Sequence, residues 1–244
     1  MRMIRTFAVL LTVCVSLASA RTLVGVNFGP PASVSPANWT LATGNGTINN
    51  LIDTTGAATS ISITLSSTPV APLQFSGTPL ASTIPSNAPS LANLQSNFYS
   101  LITPATLLAE FSGLTPNATY SVYAIGLRFS PTMDQSITIT GSGTPVMFAQ
   151  SGPAFALFFN GSIGSSSQAL ESYAQPIHAS GSGTIGILFT AGASRYNAAG
   201  VALSSTPSIP TTPAPNSLVL VLVGLAGAGF FWAASFRRLH KSRS

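Results

Sequence analysis

Charged side chains are nearly missing from this chain. They make up 5% of its 244 residues, with 9 Lys and Arg against 4 Asp and Glu. The basic residues also crowd the ends. Arg2, Arg5 and Arg21 stand at the start and Arg237, Arg238, Lys241 and Arg243 at the finish. Between them lie Arg128 and Arg195, facing Asp53, Glu110, Asp134 and Glu171. A middle so poor in cations has no patch to neutralise phosphates, which excludes nucleic acid as a partner. Cysteine occurs once, at Cys14, and histidine twice, at His178 and His240. That inventory excludes a disulfide framework, a thiolate nucleophile and a recognisable zinc site. No G-x-S-x-G elbow is present, so a serine hydrolase would have to rest on His178 without its usual signature. Four scattered acids do not cluster for calcium, and a site built from backbone carbonyls alone stays open. Asp53 before "TTG" and Asp134 in "SPTMDQS" suit turn acids that bond to nearby backbone, and Glu110 alternates along a strand. We therefore expect no catalytic residues, no metal and no cofactor.

What the ends do contain is apolar sequence with basic flanks. "MRMIRTFAVLLTVCVSLASA" has a basic start, an apolar stretch from Phe7 to Leu17, and the small-x-small pattern Ala18-Ser19-Ala20. This reads as a secretory signal peptide, with cleavage expected after Ala20, and its apolar part is too short to cross ~30 Å of hydrocarbon. Cys14 leaves with it. At the other end, Leu218 to Phe236 is nineteen residues without a charge, followed by Arg237 and Arg238. That length spans a bilayer as a helix, and the basic tail favours the cytoplasmic side, leaving the middle outside. Prolines recur through "STPSIPTTPAPN" just before it, so this stretch reads as a semi-rigid spacer.

The middle is rich in Ser, Thr, Gly, Ala and Asn, with short apolar bursts. "TSISITL" (Thr59–Leu65) alternates Ile61, Ile63 and Leu65 with Ser60, Ser62 and Thr64, and "TYSVYAIGLRF" (Thr119–Phe129) also alternates. Period two predicts half-buried strands. "TLVGVNF", "LLAEFSGL", "QSITITG", "PVMFAQ", "AFALFFNG", "GTIGILFT" and "AAGVALSS" are further strand candidates, separated by Gly, Pro and Asn clusters. The expected fold is mainly β, an antiparallel β-sandwich or barrel. A helix is expected only over Pro89–Ile102. "GSGT" occurs at Gly141–Thr144 and again at Gly181–Thr184 and reads as a tight turn feeding a strand. Four N-x-S/T sequons, at Asn38, Asn45, Asn117 and Asn160, are expected by chance in so Asn- and Thr-rich a chain.

Sugar binding needs little charge: an exposed aromatic ring and a few hydrogen-bonding groups. Trp39, in "SPANWTLATGNG", and Tyr173 and Tyr196, with polar neighbours, are the candidates, and Tyr99 also has polar neighbours. The competing reading of Trp39 is a ring that caps the core.

Two resemblances add to this. Pro213-Ala214-Pro215, the apolar run with "VGLAGAG", and Arg237-Arg238 together resemble the PEP-CTERM sorting signal of bacterial exported proteins. That family usually carries glutamate where this chain has Ala214. The resemblance implies export, processing by an exosortase-type enzyme, and sorting to the cell surface or an exopolysaccharide matrix. The middle, through "VNFGP", "NLIDTTGAATSISITL", "FSGLTPNATYSVYAIGLRF" and "GTIGILFTAGASRYNAAGVALSS", is similar to galactose-binding-like jelly-roll domains of secreted bacterial proteins. The expected organisation is a signal peptide over 1–20, a jelly-roll-like sandwich over 21–205, and a Pro-rich linker over 206–216. A transmembrane sorting helix over 217–236 and a basic cytoplasmic tail over 237–244 follow. The expected partners are the membrane, the processing enzyme and a polysaccharide. The expected function is a non-enzymatic surface or biofilm-matrix protein, held by its C-terminal helix with the domain outside, or released. A carbohydrate-binding module is the alternative, and a glycan-active hydrolase the third reading.

Overall fold

The computed structural model describes residues 22–68, 73–75, 81–95, 98–102, 104–128, 134–152, 156–192 and 195–205. They all belong to the compact unit that ends at Thr206. The expected signal peptide (1–20), linker (206–216), sorting helix (217–236) and basic tail (237–244) lie outside the described residues. Among the described residues no helix is long and apolar enough to cross a membrane.

Strands dominate. In chain order they are β1 (Leu23–Phe28), β2 (Thr40–Ala42), β3 (Gly46–Ile48), β4 (Ser62–Thr68), β5 (Leu73–Phe75) and β6 (Phe98–Ile102). Then come β7 (Thr106–Ser112), β8 (Thr119–Arg128), β9 (Gln135–Thr140), β10 (Val146–Gln150) and β11 (Ala156–Phe159). The last are β12 (Ser162–Ile163), β13 (Gln175–His178), β14 (Ile185–Ala191) and β15 (Arg195–Ser205). The first sheet runs β12-β11-β8-β15-β1-β2, with β13 also on β8, β6 also on β15, and β5 beyond β6. The second runs β10-β9-β14-β7-β4-β3. The mainly-β sandwich predicted from alternation is therefore present. It is not wholly antiparallel, because β1 pairs β2 in parallel (Val26 with Thr40). The chain leaves β1, loops over the sheet and returns to the same edge in the same direction.

Period-two alternation builds the core between the sheets. The second sheet points Ile63, Leu65, Leu107, Ala109, Phe111, Ile137, Ile139, Ile185, Ile187 and Phe189 inward. The first sheet answers with Val24, Val26, Phe28, Tyr120, Val122, Ala124, Val201 and Leu203. Each fully buried large apolar side chain contributes ~1.5–3 kcal/mol, which offsets the absence of disulfides. Phe28 sits at the centre, stacked on Tyr99 at 5.2 Å and edge-on to Phe189 at 6.4 Å. The Tyr99 hydroxyl donates to the Ala42 carbonyl at 2.6 Å, and burial pushes its phenol up. At the entry to β8, the Tyr120 hydroxyl accepts the Thr115 N–H at 2.9 Å, pinning the turn to the sheet.

The half-buried expectation fails for β8. Its outward residues Tyr123, Ile125 and Leu127 are buried too, in a second cluster with Trp39, Leu91, Leu94, Leu157, Phe159, Leu170 and Tyr173. Two short helical segments supply much of this cover: a 3₁₀ helix at Pro89–Gln95 and another at Leu170–Tyr173. The helix expected over Pro89–Ile102 is thus limited to its first half. From Phe98 onward the run is β6, whose Tyr99–Ile102 pair with β15 and whose Phe98 pairs with Phe75 of β5. Strands β2, β3, β5, β12 and β13 were not foreseen, being too short to show a period. Both "GSGT" copies are turns, with φ +105° at Gly143 and +73° at Gly183. They join β9 to β10 and β13 to β14.

β8 is flanked by β13 along its first half and by β11 along its second. Asn160 fills the break between them. Its Oδ1 accepts the Ala124 N–H at 2.8 Å, and its Nδ2 donates to the Val122 and Tyr173 carbonyls at 2.7 and 2.8 Å. Its backbone sits at φ +47°, a region asparagine tolerates better than most residues. This sequon is buried, so it is no glycan site in the folded domain. Replacing Asn160 with alanine strands three buried backbone groups at ~1–3 kcal/mol each, so urea unfolding should show a loss of at least ~3 kcal/mol.

Asp53 closes the turn before β4. Its Oδ1 accepts the Thr55 hydroxyl at 2.5 Å and the Thr55 and Ala57 N–H groups at 2.8 and 3.1 Å. The Thr55 hydroxyl above all, with desolvation opposing and the backbone donors assisting, holds the carboxyl below its ordinary 3.8. A lowered carboxylate stabilises the fold above its unfolded value, and that stabilisation disappears as pH falls through the folded value. Asp53→Ala should therefore lower the Tm at neutral pH, and the gap to wild type should close below pH ~4.

Candidate functional site

The layer over the first sheet leaves a gap where β1 begins and β15 ends. Leu23 and Ser204 are direct cross-strand partners there, and in the next row Gly25, Ala202 and Tyr123 lie side by side. Above them opens a cleft of about 200 Å³, walled by Trp39 and Tyr123, by Asn87, Ser90 and Leu91, and by Leu170 and Glu171.

Each wall is fixed by local chemistry. Trp39 ends a turn in which its N–H bonds the Pro36 carbonyl at 3.0 Å. Asn38, at φ +60°, ties that turn to the Thr54 carbonyl through its Nδ2 at 2.8 Å. The indole lies against Gly25, and a Cβ there would come within 2.2 Å of ring carbons. Glycine in mid-strand is otherwise unfavourable, so its place here is the close approach of the ring. On the facing wall, Asn87 uses both ends of its amide. Its Oδ1 accepts the Leu170 N–H at 2.9 Å, and its Nδ2 donates to Glu171 Oε2 at 2.7 Å. Nearby, the Ser86 N–H and the Gln168 carbonyl join at 2.8 Å and lock the two covering segments together. On the floor the Ser204 hydroxyl is buried and has no hydrogen-bond partner among the described residues.

The three aromatic candidates fare differently. Trp39 reaches the cleft but is 7% exposed, so it provides a wall rather than an open stacking platform. Tyr173 is 8% exposed and packs on Phe159 at 5.2 Å, and burial pushes its phenol up. It belongs to the covering cluster. Tyr196 lies in β15 opposite Leu101, and its side chain is outside the described residues. The sorting residues Pro213, Ala214, Pro215, Arg237 and Arg238 and the cleavage residues Ala18 and Ala20 also fall outside them. Tyr123, Asn87 and Glu171 were missed as site residues. Asn87 and Glu171 are 84 residues apart, and no motif links them.

The remaining acids do not converge on the cleft. Asp53 is held in its turn, and Asp134 pairs with the buried Arg128 at 3.2 Å. Glu110 stands exposed on the outer face of the second sheet, between Thr64 and Gly186. His178 is exposed, with Nδ1 at 3.0 Å from the Thr119 hydroxyl. Among the described residues no three His, Cys, Asp or Glu side chains gather as a metal site. A second hollow, of about 190 Å³, lies beside Asp53, Tyr120 and Ser205.

No protein-family model matches the chain, and no curated protein matches it. Some solved structures are similar over part of it. The CBM22-1–GH10 modules of Clostridium thermocellum endo-1,4-β-D-xylanase 10B, complexed with xylohexaose, align at 8% identity and a TM-score of 0.35. The alignment covers 59% of this chain and 26% of that one, so this chain spans about a quarter of its length. The exo-β-1,3-galactanase of Phanerochaete chrysosporium, with galactose, aligns at 12% identity and a TM-score of 0.28, over 61% of this chain and 31% of that one. TmCBM61, in complex with β-1,4-galactotriose, aligns at 10% identity and a TM-score of 0.23, over 59% of this chain and 83% of that one. Likeness at this level carries no inference about activity or ligand.

Proposed function

We propose that this chain is a non-enzymatic, exported β-sandwich protein that binds carbohydrate at a cell surface or in an extracellular matrix. The observation behind the binding reading is the cleft itself. It sets apolar and aromatic walls against the exposed Asn87 and Ser90 and a carboxylate oriented by its bond to Asn87. A sugar ring has matching parts: C–H faces for the walls and hydroxyls for the polar groups. Hydrolysis is not proposed, because glycoside cleavage uses two carboxyl groups across the bond. Among the described residues, Glu171 is the carboxylate that lines this cleft.

Ser90 is exposed at the cleft wall, in the Pro89–Gln95 segment, so it can be enlarged without opening the core. Affinity electrophoresis of the full chain in gels carrying neutral polysaccharides should show retardation. Ser90→Trp should weaken binding at least ~10-fold while leaving the circular dichroism unchanged. A wild-type chain that no polysaccharide retards would leave a displayed domain without a glycan ligand.

Export and sorting rest on the two termini: a basic-apolar-small start, and a proline, apolar and arginine finish. Mass spectrometry of protein collected outside the cell should find Arg21 as the first residue and the basic tail removed. Secreted copies that all extend intact to Ser244 would reject the sorting reading and leave the C-terminal run as an anchor.

A further inference from the structure

Among the described residues that line the cleft, Glu171 is the one that carries a formal charge, and it sets which sugars the cleft can accept. Resting on the carbohydrate-binding reading above, we infer that Glu171 is a specificity residue that selects uncharged glycans and turns away uronic acids.

Three observations carry this. First, among the described residues no Lys, Arg or His lines the cleft, so none of them neutralises the carboxylate there. Second, Glu171 has a partner that orients it. Asn87 bonds Oε2 at 2.7 Å while its own carbonyl oxygen is held by the Leu170 N–H at 2.9 Å. A carboxylate oriented in this way presents its remaining lone pairs in a preferred direction. Oε1 carries no hydrogen bond among the described residues. Third, the domain carries little positive charge overall. From residue 21 to residue 205 the formal charges are Arg21, Arg128 and Arg195 against Asp53, Glu110, Asp134 and Glu171. Arg128 already faces Asp134.

A neutral sugar donates its hydroxyl protons to Glu171, and such charge-assisted bonds are the stronger kind. A uronate brings a second carboxylate into the same small space, where like charges within ~4–6 Å repel. The same residue therefore attracts one class and repels the other. Asn87 acts through Glu171 as a positioning residue.

The test is a calorimetric titration of the full chain with matched ligands. Oligomers of β-1,4- and β-1,3-linked glucose and galactose are run beside their C6-oxidised uronate counterparts of equal length. Wild type should bind its preferred neutral oligomer at least ~10-fold more tightly than the matching uronate. Raising the salt should narrow that gap, because Glu171 is exposed enough to be screened. Glu171→Gln keeps an acceptor for Asn87 and removes the charge, and it should bring the two affinities within ~3-fold, mainly by improving the uronate. Equal wild-type affinities, or a gap that survives in the Gln variant, would overturn the assignment while leaving carbohydrate binding intact. Silence from every oligomer would overturn both.

Discussion

Strand β8 is apolar on both faces, and much of the architecture answers to that. Its inward residues Tyr120, Val122 and Ala124 are covered by the second sheet. Its outward residues Tyr123, Ile125 and Leu127 would otherwise lie bare, forming an apolar patch that soluble domains rarely leave open. The chain covers them with irregular segments rather than a third sheet, using the two 3₁₀ turns and the Trp39 loop. Irregular cover does not tile a sheet without seams. The cleft is such a seam, opening where β8, β15 and β1 run out from beneath the overlying loops. The candidate site is thus a by-product of how the second core is closed.

Much of the strand content was legible because alternation is a property of consecutive residues. Ile63 and Leu65, or Ile137 and Ile139, announce their strands and their inward faces without outside information. β8 misled for the same reason. Tyr120, Val122 and Ala124 alternate with residues that are equally apolar, and period two does not distinguish a half-exposed strand from one covered twice. The Pro89–Ile102 stretch shows the limit from the other side, since pairing with β15 decides the fate of Phe98–Ile102 and that partner lies almost a hundred residues on.

The site was less legible. Trp39 could be picked out as a rare, large ring, but its burial depends on Gly25, whose role shows only once the ring lies on it. In the sequence Glu171 is one of four scattered acids. Nothing in "ALESYAQ" tells that Asn87 will fasten it. A single long-range hydrogen bond converts a mobile side chain into a fixed one, and sequence carries no periodic trace of such a bond. Tyr173 went the opposite way: polar neighbours suggested exposure, and packing on Phe159 removed it.

The buried Asn160 also sets an order of events. Glycosyl transfer to an N-x-S site acts on chain that has not yet folded, whereas the hydrogen bonds of Asn160 exist only afterwards. In a secretory pathway that attaches N-glycans, a sugar on this amide would arrive first and occupy the nitrogen that must reach Val122 and Tyr173. The bulky group could not be buried between β11 and β13, and the two halves of that flank would stay apart. Where glycans are added before folding, a glycan on Asn160 and this flank of β8 exclude one another.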